Sequence, residues 1–183
     1  MKQKTLITLA IASTLVLSLA SCTESPDEST PIPTGASLEV VAGIRHIDEE
    51  NADFVKEVQA VPGDVLMVEM EIKNTGSLML DEIGVSATLP DGVSYVEGST
   101  WLYNNSNPDG LEISDLTEWR SIGEYRPYDG ESGSASIHYE VIVEDILTDG
   151  AASILNISNE AAGYIDGNLV TDTHVYYVAV NLQ

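Results

Sequence analysis

Residues 105–110 read Asn-Ser-Asn-Pro-Asp-Gly, a pattern that suits a cation coordinated by oxygen ligands. Asn105, Asn107 and Asp109 supply oxygen atoms at alternate positions, and the glycine after them permits the sharp turn of a calcium loop. The full calcium-loop pattern is not met, because its twelfth position is Leu116 in place of a bidentate glutamate. Asn, Pro, Asp and Gly also favour turns without any ion. The stretch therefore predicts either a calcium site or a plain polar loop.

Aromatic side chains flank these acidic segments. Trp101, Tyr103 and Tyr125 are suited to stacking on sugar rings or on a peptide, because an aromatic ring beside acids combines an apolar face with hydrogen-bond partners. Packing in the core is the alternative for Trp101, and it is the better account of Trp119. We interpret Trp101, Tyr103 and Tyr125 as a candidate ligand-binding group.

The three histidines, His46, His138 and His174, do not form a catalytic or zinc-binding pattern. No pair has the spacing of a zinc motif such as His-Glu-x-x-His, and His138 shares a strand face with Glu140, which indicates a solvated position. A serine nucleophile of the hydrolase type needs a Gly-x-Ser-x-Gly turn between a strand and a helix. Residues 130–133 instead read Gly-Glu-Ser-Gly in a predicted hairpin turn. We therefore expect no catalytic residues, no enzyme activity and, apart from calcium, no cofactor.

Residues 1–21 have the composition of a secretory signal peptide. Two lysines precede an apolar run over residues 6–19, whose only polar members are serine and threonine. This run is shorter than the roughly 20 apolar residues that span a bilayer. We therefore expect a removed leader and not a transmembrane helix.

The apolar run ends in Ala20-Ser21-Cys22, which resembles the lipobox of bacterial lipoproteins. In that family the cysteine becomes the mature N-terminus, and its sulfur carries the lipid that holds the protein on the membrane. Cys22 is the only cysteine of the chain, so it has no partner for an intramolecular disulfide. The resemblance implies lipidation of Cys22 and anchoring to the bacterial cell envelope, at the outer membrane or cell surface. An ordinary cleavage site that precedes a cysteine is the alternative.

The sequence is strongly acidic, with 30 Asp and Glu against 7 Lys and Arg and a formal net charge of −23. Removal of residues 1–21 takes away two lysines and no acid, which leaves 5 basic against 30 acidic residues, or −25. Such a surface repels phosphate groups, so we expect no nucleic-acid partner and no peripheral binding to anionic lipid. Cations or basic proteins are the compatible ligands. Solubility, or adaptation to a salty habitat, is the alternative reason for this charge.

Residues 22–36 predict a flexible acidic linker, because they contain three prolines, three acids and one large apolar residue. Residues 37–183 predict one all-β domain, in which short apolar or alternating runs are separated by turn residues. The clearest strand lies within residues 61–76, where apolar and charged side chains alternate between two turns.

About eight strands are expected, and a long polar loop is expected at 104–114. Strands of this number and length predict an immunoglobulin-like antiparallel β-sandwich with Greek-key topology. Besides the strand within 61–76, the predicted strands are 38–44, 53–60, 83–89, 93–96 continuing as 99–103, 119–122, 135–143, 154–162 and 169–180.

Several short motifs follow one another in an order that resembles a known family. They are Val-Pro-Gly-Asp at 61–64, Asn-Thr-Gly at 74–76, Leu-Pro-Asp-Gly-Val at 89–93, Trp119 with Ile122-Gly123, the 135–143 strand and Asn-Glu-Ala at 159–161. Over residues 38–180 this order resembles the conserved-repeat family called domain of unknown function eleven. The resemblance implies an immunoglobulin-like module of bacterial and archaeal surface proteins without established catalytic residues. The chain departs from the family in its single copy and its longer insertion between Tyr103 and Trp119.

These observations predict a non-catalytic cell-envelope lipoprotein that serves as a structural or adhesive binding module. Its expected partners are the membrane, through the N-terminal lipid, and an envelope protein or a glycan. The alternatives are an accessory or assembly factor for an envelope complex or a polysaccharide-processing enzyme, and a hydrolase.

Overall fold

The computed structural model describes residues 35–49, 51–145 and 153–180, all within one unit, Pro31–Gln183. Residues 1–34, including the predicted leader, Cys22 and nearly all of the predicted linker, lie outside the described residues. The strands are β1 Glu39–His46, β2 Glu57–Ala60, β3 Val65–Lys73, β4 Leu80–Thr88, β5 Val93–Tyr95, β6 Trp101–Asn104, β7 Asn107–Glu112, β8 Arg120–Tyr125, β9 Ser134–Val143, β10 Ser153–Ile165 and β11 Asn168–Val180.

These strands form two sheets packed face to face. In the first sheet the order is β1-β3-β9-β6-β7, with β5 also paired to β9, and in the second it is β2-β11-β10-β4-β8. All pairs are antiparallel except β2 with β11, which is parallel. The described ranges contain no helix, and accordingly none that is long and apolar enough to cross a membrane. The predicted all-β immunoglobulin-like sandwich is confirmed.

The core consists of the inward side chains of both sheets. Along β3 and β9 buried and partly exposed residues alternate strictly, because successive side chains of a strand point to opposite faces. The predicted inward set of β3 is fully buried: Leu66, Val68, Met70 and Ile72.

A hydrogen-bonded group of three polar side chains crosses this core. The Tyr139 hydroxyl of β9 lies 2.7 Å from the Tyr176 hydroxyl of β11, and it donates to Asn159 Oδ1 of β10 at 2.7 Å. All three side chains are buried, and desolvation raises the pKa of both tyrosines. The hydroxyls therefore stay protonated, and they join the two sheets at the centre of the sandwich.

Two segments differ from their predictions. The predicted loop at 104–114 is mostly a β-hairpin, because β6 and β7 pair from Trp101 with Glu112 to Asn104 with Asn107. The segment 93–103, predicted as one strand with a bulge, consists of two separate strands, β5 and β6, that both pair with β9. The break between them is longer than a bulge, since six residue steps from Tyr95 to Trp101 span only three on β9.

Trp119 is not a core residue as predicted, since 42% of its surface is exposed. Its indole lies directly against the backbone of Gly84 on the neighbouring strand β4, where a Cβ atom would overlap the ring. The ring is held on the outside because Gly84 offers it a flat backbone surface. A large aromatic residue near a strand therefore did not indicate burial.

Asn74, in the predicted Asn-Thr-Gly turn after β3, ties the two sheets together at one end. Its buried side chain donates from Nδ2 to the Leu78 and Tyr125 carbonyls, both at 2.8 Å, and Tyr125 belongs to the second sheet. Oδ1 accepts from the Gly76 N–H at 3.1 Å. No hydrophobic side chain of this size satisfies two buried carbonyls and one N–H.

Replacing Asn74 with alanine should lower the free energy of unfolding by about 3 kcal/mol, because buried polar groups would lose their partners. Urea unfolding followed by fluorescence measures this change. The matched control is Asn51→Ala, at an exposed turn position, which should change stability by less than about 0.5 kcal/mol. Equal effects of the two substitutions would contradict the role of Asn74.

Candidate functional site

The outward face of the first sheet carries a row of side chains that reaches across five strands. Cross-strand pairing aligns Gly43 of β1, Glu69 of β3, His138 of β9, Trp101 of β6 and Glu112 of β7. These residues alternate with inward core residues, so their side chains face away from the core. A carboxylate, an imidazole and an indole are thereby placed side by side.

Two further rings pack against the imidazole of His138. The Tyr103 ring lies 5.1 Å from it and the Phe54 ring lies 6.1 Å from it, centroid to centroid. Phe54 comes from the segment between β1 and β2 and covers Gly43, where a Cβ atom would stand only 2.7 Å from that of Phe54. We call the group Phe54, Trp101, Tyr103 and His138 the aromatic platform.

Gly110 of β7 supports the platform from the neighbouring strand. A Cβ atom at this position would lie 2.7 Å from the Tyr103 ring and 3.2 Å from the Trp101 ring, and the residue has φ +89°. Both rings therefore lie against a bare backbone. Trp101 keeps 39% of its surface exposed, so part of this residue remains accessible to a ligand.

Glu69 lies beside the platform and is hydrogen-bonded to His138. Its Oε1 lies 3.0 Å from His138 Nε2 and accepts from the Ser136 hydroxyl at 3.3 Å. The hydrogen bond from His138 is the main cause that lowers the pKa of this carboxyl; desolvation opposes it, and the charges of His138 and Arg45 add to it. Glu69 is therefore ionised at neutral pH.

The group Ser136, Glu69 and His138 is not a hydrolytic triad. In a triad the imidazole contacts the serine hydroxyl, and the carboxylate holds the far side of the imidazole. Here the carboxylate stands between the other two groups, because Ser136 Oγ and His138 Nε2 both bond to Glu69 Oε1. The arrangement orients the imidazole but cannot draw the proton from the hydroxyl.

A small crevice of about 270 Å³ opens beside Tyr103. Besides Tyr103, its lining includes five residues with polar side chains. They are Glu71, Asn104, Asn105, Ser134 and Ser136. The crevice can take one polar or charged side chain, or one sugar ring edge, next to an aromatic surface.

Tyr125 does not join the other two predicted aromatic residues. It lies on β8 in the second sheet and is only 7% exposed. Its hydroxyl accepts from Asn104 Nδ2 at 3.1 Å and donates to the Ile122 carbonyl at 3.3 Å, while burial raises its pKa. The fold thus brings together Trp101 and Tyr103 but leaves Tyr125 as a packing residue.

Tyr125 instead lines a groove of about 620 Å³ between the edge strands β7 and β8. The groove walls are largely apolar. Its apolar lining includes Met79, Leu102, Leu111, Ile113, Ile122 and Tyr125. On the opposite side of the sandwich a bridge between Ile44 and Val55 joins the first sheet to the segment before β2, so the two sides differ.

The predicted calcium ligands lie along the β6–β7 hairpin. Asn105 is in its turn, and Asn107 and Asp109 are on β7. Oδ1 of Asn104 accepts from the N–H groups of Ser106 and Asn107, which closes the turn without an ion. Within the described residues no three His, Cys, Asp or Glu side chains form a group that could hold a metal. Calcium binding stays a prediction, to be tested by melting the protein with and without calcium.

The other histidines lie apart from the platform. His46 ends β1, with Nε2 2.7 Å from the Gln59 carbonyl, and His174 lies on β11 in the second sheet. Sequence reasoning missed Phe54, Glu69 and Ser136 as parts of the site. The alternation in β3 and β9 indicated which residues face outward, but the row depends on register between distant strands.

No family model and no curated protein matches the chain, so the resemblance to domain of unknown function eleven stays a prediction. The fold has many solved neighbours. The chain is similar to BcpA, the major pilin subunit of Bacillus cereus, with TM-score 0.52 and 8% identity over 79% of this chain and 40% of the pilin. It is also similar to the N-terminal domain of the Streptococcus gordonii adhesin Sgo0707, with TM-score 0.43 and 12% identity over 83% of this chain and 34% of that chain. The chain thus spans about two fifths of the pilin, and identities this low show the fold alone.

The Glu69 carboxyl should titrate below its ordinary pKa of 4.5, as measured by NMR of the carboxyl carbon. His138→Phe keeps a ring on the platform but removes both the hydrogen bond and the charge, so the pKa should rise. Because the folded-state pKa is lowered, the pair stabilises the fold at neutral pH, and this contribution is lost as the pH falls through that pKa. His46→Phe is the control, and it should leave the Glu69 pKa unchanged. A Glu69 pKa that does not respond to His138→Phe would contradict the assignment.

Proposed function

We propose that this protein is a non-catalytic cell-envelope lipoprotein that acts as an adhesive or structural binding module. Cys22 supplies the anchor, the acidic residues of 22–36 supply a tether, and the sandwich presents the aromatic platform as its binding surface. The observation that carries the proposal is the exposed side chain of Trp101 beside Tyr103, His138 and Glu69 on the outward face of the first sheet.

An exposed sheet face that carries aromatic rings is suited to binding a ligand. Aromatic side chains contribute a large share of binding energy at interfaces, since they bury much apolar area with few rotatable bonds. The platform rings are also held in place by Gly43 and Gly110, so little order has to be gained when a ligand binds. These features support a preformed binding surface.

The anchor is tested by replacing Cys22 with serine in the native host. Wild-type protein should incorporate labelled fatty acid and sediment with membranes, because two or more acyl chains hold a protein stably. Cys22→Ser should incorporate none, whereas the control Ser21→Ala, which keeps a small residue before the cysteine, should still be labelled. Fatty-acid labelling of Cys22→Ser at the wild-type level would overturn the lipoprotein assignment.

The binding surface is tested with the chain from residue 22 onward, carrying Cys22→Ser; the core cluster lies within 38–180. This protein should co-sediment with washed envelope fragments. The double substitution Trp101→Ala with Tyr103→Ala should weaken this binding at least about tenfold, as expected for two central aromatic residues.

The matched control substitutes two exposed apolar residues that face each other on the second sheet, Tyr164→Ala with Leu169→Ala. This variant should bind like the wild type. Thermal melts of both variants check that they are folded. Equal envelope binding by the two double variants would show that the platform is not the binding surface.

A further inference from the structure

We propose that the aromatic platform binds a basic, extended segment of a partner protein, with arginine or lysine side chains over Trp101 and Tyr103. This inference rests on the proposed function and adds the chemistry of the ligand. It follows from the charge around the platform, from the state of the nearby cations, and from the spacing of the rows.

The outward face of the first sheet has more acids than bases. Its carboxylates belong to five glutamates on four strands: Glu39, Glu69, Glu71, Glu112 and Glu140. The whole chain has 30 acidic and 7 basic residues, so the local excess is part of a field that attracts cations. A basic segment is steered toward this face, and a neutral or acidic one is not.

The two cations on this face are already engaged. Arg45 lies over the Phe54 ring at 5.0 Å and donates to the Glu49 carbonyl. Lys73 Nζ lies 2.8 Å from Glu71 Oε2 and 5.5 Å from the Tyr128 ring centroid. Neither therefore neutralises Glu112 or Glu140, and Lys73 occupies only one oxygen of Glu71 at this distance.

The protein's own lysines and arginines show how its aromatic side chains are used. Besides these two cations, Lys56 lies over the Tyr177 ring at 5.9 Å. Among the described residues, no lysine or arginine lies over the rings of Trp101 or Tyr103. A ring face beside carboxylates is a favourable site for a cation, worth about 0.5–1 kcal/mol when exposed and more when desolvated. The partner would supply the cations that this chain lacks there.

The crevice beside Tyr103 gives one cationic side chain a defined place. An arginine or lysine stem lying along the tyrosine ring brings its charged head to Glu71, the Asn105 amide and the Ser136 hydroxyl. These groups provide acceptors, which both cationic heads need because they carry only donors. The crevice volume of about 270 Å³ accommodates a single such head.

The spacing of the platform rows matches an extended ligand. Trp101 lies in the row with His138 and Glu69, and Tyr103 lies in the row with Ser136 and Glu71. Residues two apart on a strand stand about 6.8 Å apart on the same face. In an extended segment that runs along the strands, every second side chain points to the same face at this same spacing. Every second side chain of the segment therefore meets the next row of the platform.

The test uses the Cys22→Ser chain from residue 22 onward and a fluorescent peptide of alternating arginine and serine, followed by anisotropy. The same peptide with citrulline in place of arginine is the neutral comparison, since citrulline keeps the shape and loses the charge. We expect the arginine peptide to bind at least about tenfold more tightly than the citrulline peptide, with an affinity that falls as salt rises. Trp101→Ala with Tyr103→Ala should abolish the difference, whereas Lys73→Gln should tighten arginine-peptide binding.

Two variants of equal net charge distinguish binding at the platform from general attraction to an acidic protein. Glu71→Gln with Glu112→Gln removes two charges beside the platform, and Glu82→Gln with Glu160→Gln removes two from exposed positions of the second sheet. Only the first pair should weaken arginine-peptide binding by about fivefold or more. Equal weakening by both pairs, or equal binding of the citrulline peptide, would overturn the inference.

A linear neutral glycan is titrated in parallel. Platform-dependent binding of the glycan, without platform-dependent binding of the arginine peptide, would overturn the basic-segment inference while leaving the proposed binding function intact. Loss of platform dependence in the envelope assay as well would remove both.

Discussion

A hydrogen-bonded group of Tyr139, Asn159 and Tyr176 joins the two sheets through the core. Tyr139 places a hydroxyl at the centre of the core, where a group of this kind without a partner costs about 1–3 kcal/mol, and Asn159 and Tyr176 of the opposite sheet accept or share its proton. Asn74 joins the sheets at one end, where its side chain donates to two backbone carbonyls and accepts from one N–H. These contacts restrict the offset between the sheets, because each bond requires its two partners to lie within hydrogen-bonding distance.

Once the inner faces are fixed in this way, the outer face of the first sheet follows. On β3 the inward residues Val68 and Met70 flank Glu69, and on β9 the inward residues Ile137 and Tyr139 flank His138. Glu69 and His138 therefore both face outward, where they form a hydrogen-bonded pair. The platform is therefore a consequence of the same alternation that builds the core. None of its four rings belongs to the buried core cluster.

In the proposed binding function, the charged and the aromatic side chains have different roles. The dispersed acids give the surface a negative charge that repels phosphate groups, while the rings provide apolar area that a ligand can bury. Three of the protein's own cations lie over aromatic rings, so the chemistry proposed for a partner already occurs within the fold. In contrast, the larger groove between β7 and β8 is lined by one acidic and one basic residue, Glu124 and Arg126, and so has no excess of acids.

The sequence by itself determined the class of the fold, the strands β3 and β9, and which of their residues face the core, because a period of two is a local property of the chain. It also pointed to Trp101 and Tyr103, whose positions two apart on one strand put them on one face. Tertiary structure alone decided that Tyr125 belongs to the other sheet and that Trp119 lies outside on Gly84. It also placed Phe54 over Gly43 and aligned Glu69, His138 and Trp101 in one row. Each of these features depends on strand register or on contact between residues far apart in the chain, and no local pattern specifies such pairings.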